Sequence, residues 1–516
     1  MGDAEQLHIC RYNQTISGYY PNKQAQQLPF LGSIGNDLSF FHDSTIIPHM
    51  DKEIIKKVAE ETANIVGRDH CTTRLEDLHC YSYDGTGKTF LPDIVAFPDS
   101  TSQVAALMRM ASAHALPVVA RGAGSGMTGG ALPVRGGLIL ALSRLNRILE
   151  IDRDNQIAIV EPGVITGEFQ QAVQKVGLFY PPDPASLKFC TMGGNAAECA
   201  GGPSAVKYGV TKDFIIGLEV VLASGEILTT GARTEKGVVG YDLTRLFVGS
   251  EGTLGIITKI ITRLIPRPEQ KATFLISSNS LPQTTRLVAE ILHHHIRPCT
   301  LEYMDKTAIG LVAKLLPHPP APDIQAMLLL ELDGSKGEVF AQTERLYSLL
   351  STDTHRAHST IRQAATEGER QELWLARRSI SPATFQLSPH KISEDVVVPR
   401  SRIPELVQFT ESLGKDLGLV ILTFGHAGDG NIHVNIMLDR NQEEQRRHGE
   451  IARERLFRQV IALHGTLSGE HGIGITKSPF LPLELDTTTL NIMKKLKNLF
   501  DPQGILNPGK IFPQEF

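Results

Sequence analysis

The chain has 516 residues, 41% hydrophobic and 21% charged, with a formal charge of −5. That length suits two to four domains with sizeable cores. The acidic balance, without a basic run or arginine stripe, excludes a phosphate-backbone binder. The six cysteines (Cys10, Cys71, Cys80, Cys190, Cys199 and Cys299) form neither a Cys-x-x-Cys nor an iron–sulfur ligand run. Their scarcity suits a reducing compartment. No leader sequence or spanning apolar segment is legible, so the expectation is a cytoplasmic protein, with membrane association only through a partner.

Residues 1–48 are polar and irregular and read as an extension with little fold of its own. A helix is predicted from Lys52 to about Ile65, with Ile54, Ile55, Val58 and Ala59 on one side. Asp93 to Pro98 reads as a short buried strand. Ser100 or Thr101 then caps a helix whose apolar face is Val104, Leu107, Met108 and Ala111. A second strand, Pro117 to Ala120, runs into a glycine-rich loop. Strands follow at Gly137–Leu142 and Ile157–Val160, and a helix from Thr166 to Val176 stops at Gly177. Ser224-Gly225 between two β-branched runs signals a hairpin. Pro266 and Pro268 close this segment. Mixed helices and strands follow to about residue 465, then a tail punctuated by glycine and proline.

The loop Arg121-Gly122-Ala123-Gly124-Ser125-Gly126-Met127-Thr128-Gly129-Gly130 packs five glycines into ten residues. Glycine admits positive φ and close approach, so successive N–H groups can face a pyrophosphate, with Ser125 and Thr128 as added donors. The spacing is neither a Rossmann fingerprint nor a P-loop. Alone, such a loop reads first as a tight turn. Three further small-residue segments shift the balance: Pro181 to Pro184 with Thr191 to Ala197, then Gly201-Gly202-Pro203 with Lys207-Tyr208-Gly209, then Gly249 to Ile257.

Near the C-terminus, Ile421 to Met437 suggests a hairpin around Gly428-Asp429-Gly430-Asn431, bringing His426 and His433 to one face. Ser468-Gly469-Glu470-His471-Gly472 sets a carboxylate beside an imidazole. A lone histidine pair reads first as structural, as does His293-His294-His295. Glycine framing and the Glu470-His471 pair favour an open metal site of two imidazoles and a carboxylate. Arg377 and Arg378 lie on a predicted helix with Ser381 one turn on, and Lys391 follows.

Together these motifs, from about residue 92 to the end, resemble the FAD-linked 2-hydroxy-acid dehydrogenases of the vanillyl-alcohol-oxidase and p-cresol-methylhydroxylase superfamily. That is the group of D-lactate dehydrogenase, glycolate oxidase FAD subunit and D-2-hydroxyglutarate dehydrogenase. The resemblance implies an α+β fold: a two-part FAD-binding domain of the p-cresol-methylhydroxylase (PCMH) type, an inserted α/β substrate (cap) domain, and a C-terminal return. The boundaries read 1–48 for the extension, 49–267 for the FAD-binding domain, 268–465 for the cap, and 466–516 for the return.

By the same resemblance, Arg121, Gly122, Ala123, Gly124, Ser125, Gly126, Thr128 and Gly129 form the pyrophosphate loop. Pro182, Gly193, Gly194, Asn195, Gly201, Gly202 and Tyr208 line the flavin. Glu251, Gly252, Gly255, Ile256 and Ile257 approach the adenine side, and Asn507 returns to the flavin. The loop carries no His or Cys, so noncovalent FAD is expected. His426, His433 and Glu470 are the implied ligands of a divalent metal, zinc or manganese. Arg377, Ser381 and Lys391 match positions that contact substrate, with Ser381 where the family carries Thr.

Oxidation of an alcohol beside a carboxylate needs its weakly acidic hydroxyl proton removed while hydride leaves for the flavin. A metal lowers that barrier, and His471 is the candidate base. Asp429 and Asn435 are expected to orient the ligands. Electrons would pass to a partner, an iron–sulfur subunit or an electron-transfer flavoprotein. D-lactate or glycolate is favoured over D-2-hydroxyglutarate, because no cation for a second carboxylate is legible. The rivals are a non-redox or an electron-relay flavoprotein on the same fold.

Overall fold

The computed structural model describes residues 52–513. The expectation for residues 1–48 lies outside the described residues. Helix Lys52–Val66 opens the described chain, packing Val58 and Val66 into the first core.

The first sheet holds β1 (Cys71–Thr72), β2 (Ile94–Ala96), β3 (Val118–Arg121) and β4 (Leu138–Ala141) in the order β1-β2-β4-β3. β2, β4 and β3 run parallel, and β1 is antiparallel at the edge. The crossover helix Thr101–Ala113 is capped by Ser100, whose hydroxyl accepts from Gln103 N. It buries Val104, Leu107, Met108 and Ala111, the face expected from the sequence. The chain end returns to this sheet: Val118 N donates to Ile505 O, and Asn507 N donates to Val118 O, both at 2.8 Å.

Next come β5 (Ile148–Asp152), β6 (Ile157–Val160), β7 (Leu178–Phe179), β8 (Ile215–Val221), β9 (Ile227–Gly231), β10 (Ile256–Arg263) and β11 (Ile265–Pro266). Five of these form an antiparallel sheet in the order β5-β6-β10-β8-β9, while β7 and β11 pair as a short ribbon. Gly225 takes φ +80° in the turn between β8 and β9, the hairpin the sequence signals. Helix Thr166–Lys175 ends at Gly177, whose φ of +81° is the left-handed stop.

The third sheet carries β12 (Gln270–Ser278), β13 (Thr300–Asp305), β14 (Ala326–Gly334), β15 (Ser359–Gln363), β16 (His390–Val397), β17 (Val420–His426) and β18 (Asn431–Leu438). Their order is β15-β12-β14-β13-β17-β18-β16, antiparallel throughout. One face packs on helices Leu281–His293, Lys336–Leu350, Ile403–Leu417 and Glu443–Ala462 through Leu328, Leu330, Val434 and Ile436. The other face packs on helix Glu367–Ala383 through Leu373, Ala376 and Ile380. This sheet is pinned to the short helix Ala205–Tyr208 at Asp333. Lys207 Nζ reaches its carbonyl at 2.7 Å, and Tyr208 Oη donates to its carboxylate at 2.9 Å. No helix among the described residues is long and apolar enough to cross a membrane.

Candidate active site

Strand register builds the site. Directly opposed residues of an antiparallel pair share a face, and the pairs Glu302–His426, Phe424–His433 and Asp395–His433 lie across β13, β17, β18 and β16. Alternation along β18 puts His433 and Asn435 on this face, while Val434 and Ile436 point into the opposite core.

His426 turns Nδ1 to Glu302 Oε1 at 2.6 Å and Nε2 to Glu470 Oε1 at 3.2 Å. His433 turns Nδ1 toward Asp395 Oδ1 at 3.6 Å, and its Nε2 lies 3.4 Å from His426 Nε2 and 3.8 Å from Glu470 Oε1. The three inward atoms therefore form a triangle with edges of 3.2, 3.4 and 3.8 Å. Two ligands each about 2.1 Å from a tetrahedral metal stand about 3.4 Å apart, so the triangle fits a divalent ion. Each imidazole also has a carboxylate at its outer nitrogen, the arrangement that orients metal-binding histidines. Asp395, His433, Glu470 and His471 also offer one donor each within 4.8 Å of one another. Asp395 is the weaker candidate in that set, because its oxygens already accept four N–H bonds, from Asn431 Nδ2 and from the backbone of Gly469, Glu470 and His471.

The electrostatics follow from burial. Burial alone would raise Glu302, but Arg377 and His426 more than offset it and hold the carboxyl at about 2. Burial opposes charge on His426, yet Glu302 and Glu470, both hydrogen-bonded to it, raise it well above the usual histidine value. Burial and the neighbouring His426 push His433 down to about 3. The charge thus sits on His426, and His433 stays neutral with a lone pair available. A divalent ion would take the place of the proton held between His426 and Glu470.

His471 stacks on His433, with ring centroids 5.6 Å apart and planes 10° apart. Its carbonyl accepts from Thr128 Oγ1 at 3.0 Å, which ties the glycine-rich loop to the Glu470-His471 loop. Arg377 is buried, pairs with Glu302, and lies 4.8 Å over the Phe424 ring. Arg378 points away, over Trp374. Lys391 Nζ donates to Ser381 Oγ at 2.9 Å and to its carbonyl at 3.2 Å, so the two residues form one unit. Burial lowers Lys391 to about 8.

Asp429 Oδ1 accepts from Asn431 N at 3.2 Å, closing the β17–β18 turn beside His426. One expectation needs correction: Asn435 orients neither histidine, being fully buried with both amide atoms unpartnered. It stands opposite Ser393 and two residues from His433, a polar group left for a molecule in the site.

The small-residue segments converge. A Cβ on Gly122 would lie 2.3 Å from Thr191 Oγ1, one on Gly130 2.4 Å from Glu198 Oε1, and one on Gly201 2.8 Å from Glu470 Oε2. At Gly126 the nearest atom to such a Cβ is 3.9 Å away, which leaves the loop open there to a bulky group. Gly124 and Gly129 in the glycine-rich loop, and Gly202 and Gly252 in the other small-residue segments, have positive φ, the backbone region that favours glycine.

Asn507 Nδ2 bridges Gly130 O and Glu251 O at 2.8 and 2.7 Å. The Glu251 carboxylate accepts from Ile473 N and Gly474 N, both at 2.7 Å. Arg121 is buried, with its guanidinium donating to Tyr83 O and Ala131 O. Asn195 donates to Thr166 Oγ1, and Pro182 O accepts from Gln170. Gly193 N bonds Pro162 O, and Gly194 N bonds the capping Thr191. Ile256 and Ile257 are buried strand residues, and Gly255 packs on Val220. Cys190 and Cys199 carry free thiols, as small packing residues would.

The sequence reading missed Glu302, Asp395 and Lys477. Each had a signal: a single acid inside Thr300-Leu301-Glu302-Tyr303-Met304, an acid ahead of Val396-Val397-Val398, and a lysine buried after Gly472-Ile473-Gly474-Ile475. A charge in a buried stretch has to be paired.

Comparison with known proteins gives two family matches. Residues 92–231 match the FAD binding domain, and residues 267–511 match the FAD linked oxidases, C-terminal domain. The chain is 40% identical to the glycolate oxidase subunit GlcD of Bacillus subtilis (strain 168), over 90% of this chain and 98% of that protein. It is 35% identical to the D-lactate dehydrogenase of Anaerostipes hadrus, over 81% and 89%. Among solved structures, p-cresol methylhydroxylase with substrate bound superposes with a TM-score of 0.76 at 17% identity, covering 90% of this chain and 98% of that one. The 4-ethylphenol oxidase of Gulosibacter chungangensis gives 0.72 at 21% identity, covering 90% and 98%. These two likenesses speak to the fold.

Proposed function

Because the chain belongs to the FAD-linked oxidases, the family of GlcD and D-lactate dehydrogenase, we propose that it is a dehydrogenase converting a small 2-hydroxy acid, D-lactate or glycolate, to the 2-oxo acid. The observation that carries this reading is the His426–His433–Glu470 triangle with His471 stacked beside it, on a loop tied to the glycine-rich segments.

FAD would supply the hydride acceptor, and a divalent ion held by His426, His433 and Glu470 would supply Lewis-acid polarisation of the substrate hydroxyl. His471 takes the hydroxyl proton, placed for it by the stack on His433. The substrate carboxylate meets the Lys391–Ser381 unit, and the unpartnered Asn435 amide completes its hydrogen bonds. Of the two clamp cations, Arg377 is already paired with Glu302, whereas Lys391 has no carboxylate partner among the described residues. One uncompensated cation supports a monocarboxylate substrate. The chain has no iron–sulfur cysteine run, so the electrons leave to a partner, an iron–sulfur subunit or an electron-transfer flavoprotein.

The test is anaerobic bleaching of the bound flavin by both enantiomers of lactate, by glycolate and by both enantiomers of 2-hydroxyglutarate. Rapid bleaching by D-lactate or glycolate is expected. A flavin that none of these acids reduces refutes the proposal.

A further inference from the structure

Asp395 is fully buried, and three consecutive backbone N–H groups aim at one of its oxygens. Gly469, Glu470 and His471 donate to Oδ2 at 3.0, 2.9 and 3.0 Å, and Asn431 Nδ2 donates to Oδ1 at 2.5 Å. Beneath it Lys477, 1% exposed, is saturated by three acceptors: Asp395 O at 3.1 Å, Leu467 O at 2.8 Å and Ser468 Oγ at 3.1 Å. Its Nζ lies 3.9 Å from Asp395 Oδ2. Ser468 in turn donates to Gly472 O at 2.6 Å, closing the loop on itself. A Cβ at Gly469 would come within 2.4 Å of Asn431 Nδ2, so only glycine lets this loop lie so close.

We propose that Asp395 and Lys477 are a positioning pair, absent from the ligand set, that fixes Glu470 and His471 relative to His433. The inference rests on the metal reading above. A buried carboxylate and a buried ammonium are costly unless each is paired and hydrogen-bonded. Here every proton of the lysine and both oxygens of the aspartate are used, and what they hold is the backbone of the residues carrying the ligand and the base. Asn431 extends the grip to β18, two residues before His433. Asp395 is thus engaged by the loop backbone and by Asn431, with Oδ1 turned to the outer nitrogen of His433 at 3.6 Å, although it lies within reach of the cluster.

The experiment uses the FAD-loaded full chain, stripped of metal and titrated with Zn2+, as wild type, Asp395→Asn and Lys477→Met. Flavin content and melting temperature are recorded for each. Positioning predicts Zn2+ binding weakened about 10- to 100-fold in both variants, as for lost outer partners of metal ligands. The single-turnover rate of flavin reduction by substrate should fall with it, while substrate affinity and FAD stoichiometry hold. If Asp395 were a ligand, Lys477→Met would leave Zn2+ affinity unchanged, and that result overturns the proposal. Wild-type affinity and rate in a folded Asp395→Asn overturn it as well.

A wild-type protein that takes no Zn2+ refutes the metal reading instead. The pair is then judged on the rate of flavin reduction alone, through His471. Should either variant fail to fold, Ser468→Ala removes one partner of Lys477 and should cost about two- to tenfold in Zn2+ affinity. No change there is a refutation.

Discussion

Replacing Glu302 by Gln removes one charge from the middle of β13 and leaves the side-chain volume almost unchanged. The amide still accepts from His426 Nδ1, but Arg377 loses its only carboxylate among the described residues. That guanidinium is buried, permanently charged, and otherwise faces the Phe424 ring. Removing one partner of a buried ion pair costs about 3–5 kcal/mol, because the other charge stays desolvated. For a domain of this size, that corresponds to a fall in melting temperature on the order of 10 °C.

Calorimetry of the FAD-loaded protein measures it, with Glu302→Gln, Arg377→Leu and the double variant compared as a cycle. The double variant should recover about 1–3 kcal/mol relative to the sum of the singles, since it leaves no lone cation. A loss below about 1 kcal/mol for Glu302→Gln, or strict additivity, would show that the pair does not hold the site together.

His433→Ala should abolish both metal retention and turnover; elemental analysis and flavin-reduction kinetics would each expose unchanged behaviour as a refutation. Lys391→Met should raise KM about 10- to 100-fold with a smaller effect on kcat, since a charge-assisted hydrogen bond contributes about 1.5–3 kcal/mol. Substrate affinity should also decline as pH rises through about 8, where Lys391 loses its proton. Because the folded value lies below the ordinary lysine value, this same group makes the fold more stable, not less, as pH climbs from about 8 toward about 10.4. A KM flat across that range argues against the clamp. Gly122→Ala places a methyl 2.3 Å from Thr191 Oγ1. FAD affinity should drop by one to two orders of magnitude, given the ~1–3 kcal/mol typical of overpacking; full flavin occupancy at stoichiometric FAD would contradict it.

The elements were largely legible because they rest on local rules. Ser100 caps its helix, Gly177 stops another, and Ser224-Gly225 turns β8 into β9. Hairpin alternation likewise told that His426 and His433 would meet, since β17 and β18 are contiguous and period 2 leaves one choice of face. Helix Glu367–Ala383 carries Arg377 and Ser381 one turn apart for the same kind of reason.

Where the partners come from distant strands, local rules end. Glu302 stands 124 residues from His426, and Asp395 lies 75 from Glu470. Nothing in the sequence says that β13 pairs with β17, or that β16 lies at the edge beside β18. Those pairings minimise exposed apolar surface over the whole seven-stranded sheet, a sum over residues far apart in the chain. The sequence alone therefore singled out His426, His433 and Glu470, which the fold brings together. Only the tertiary structure decided which acids face them, and that, among the described residues, Asn435 is left unpartnered and Arg377 is paired with a carboxylate while Lys391 is not, because burial and register determine which charges must meet.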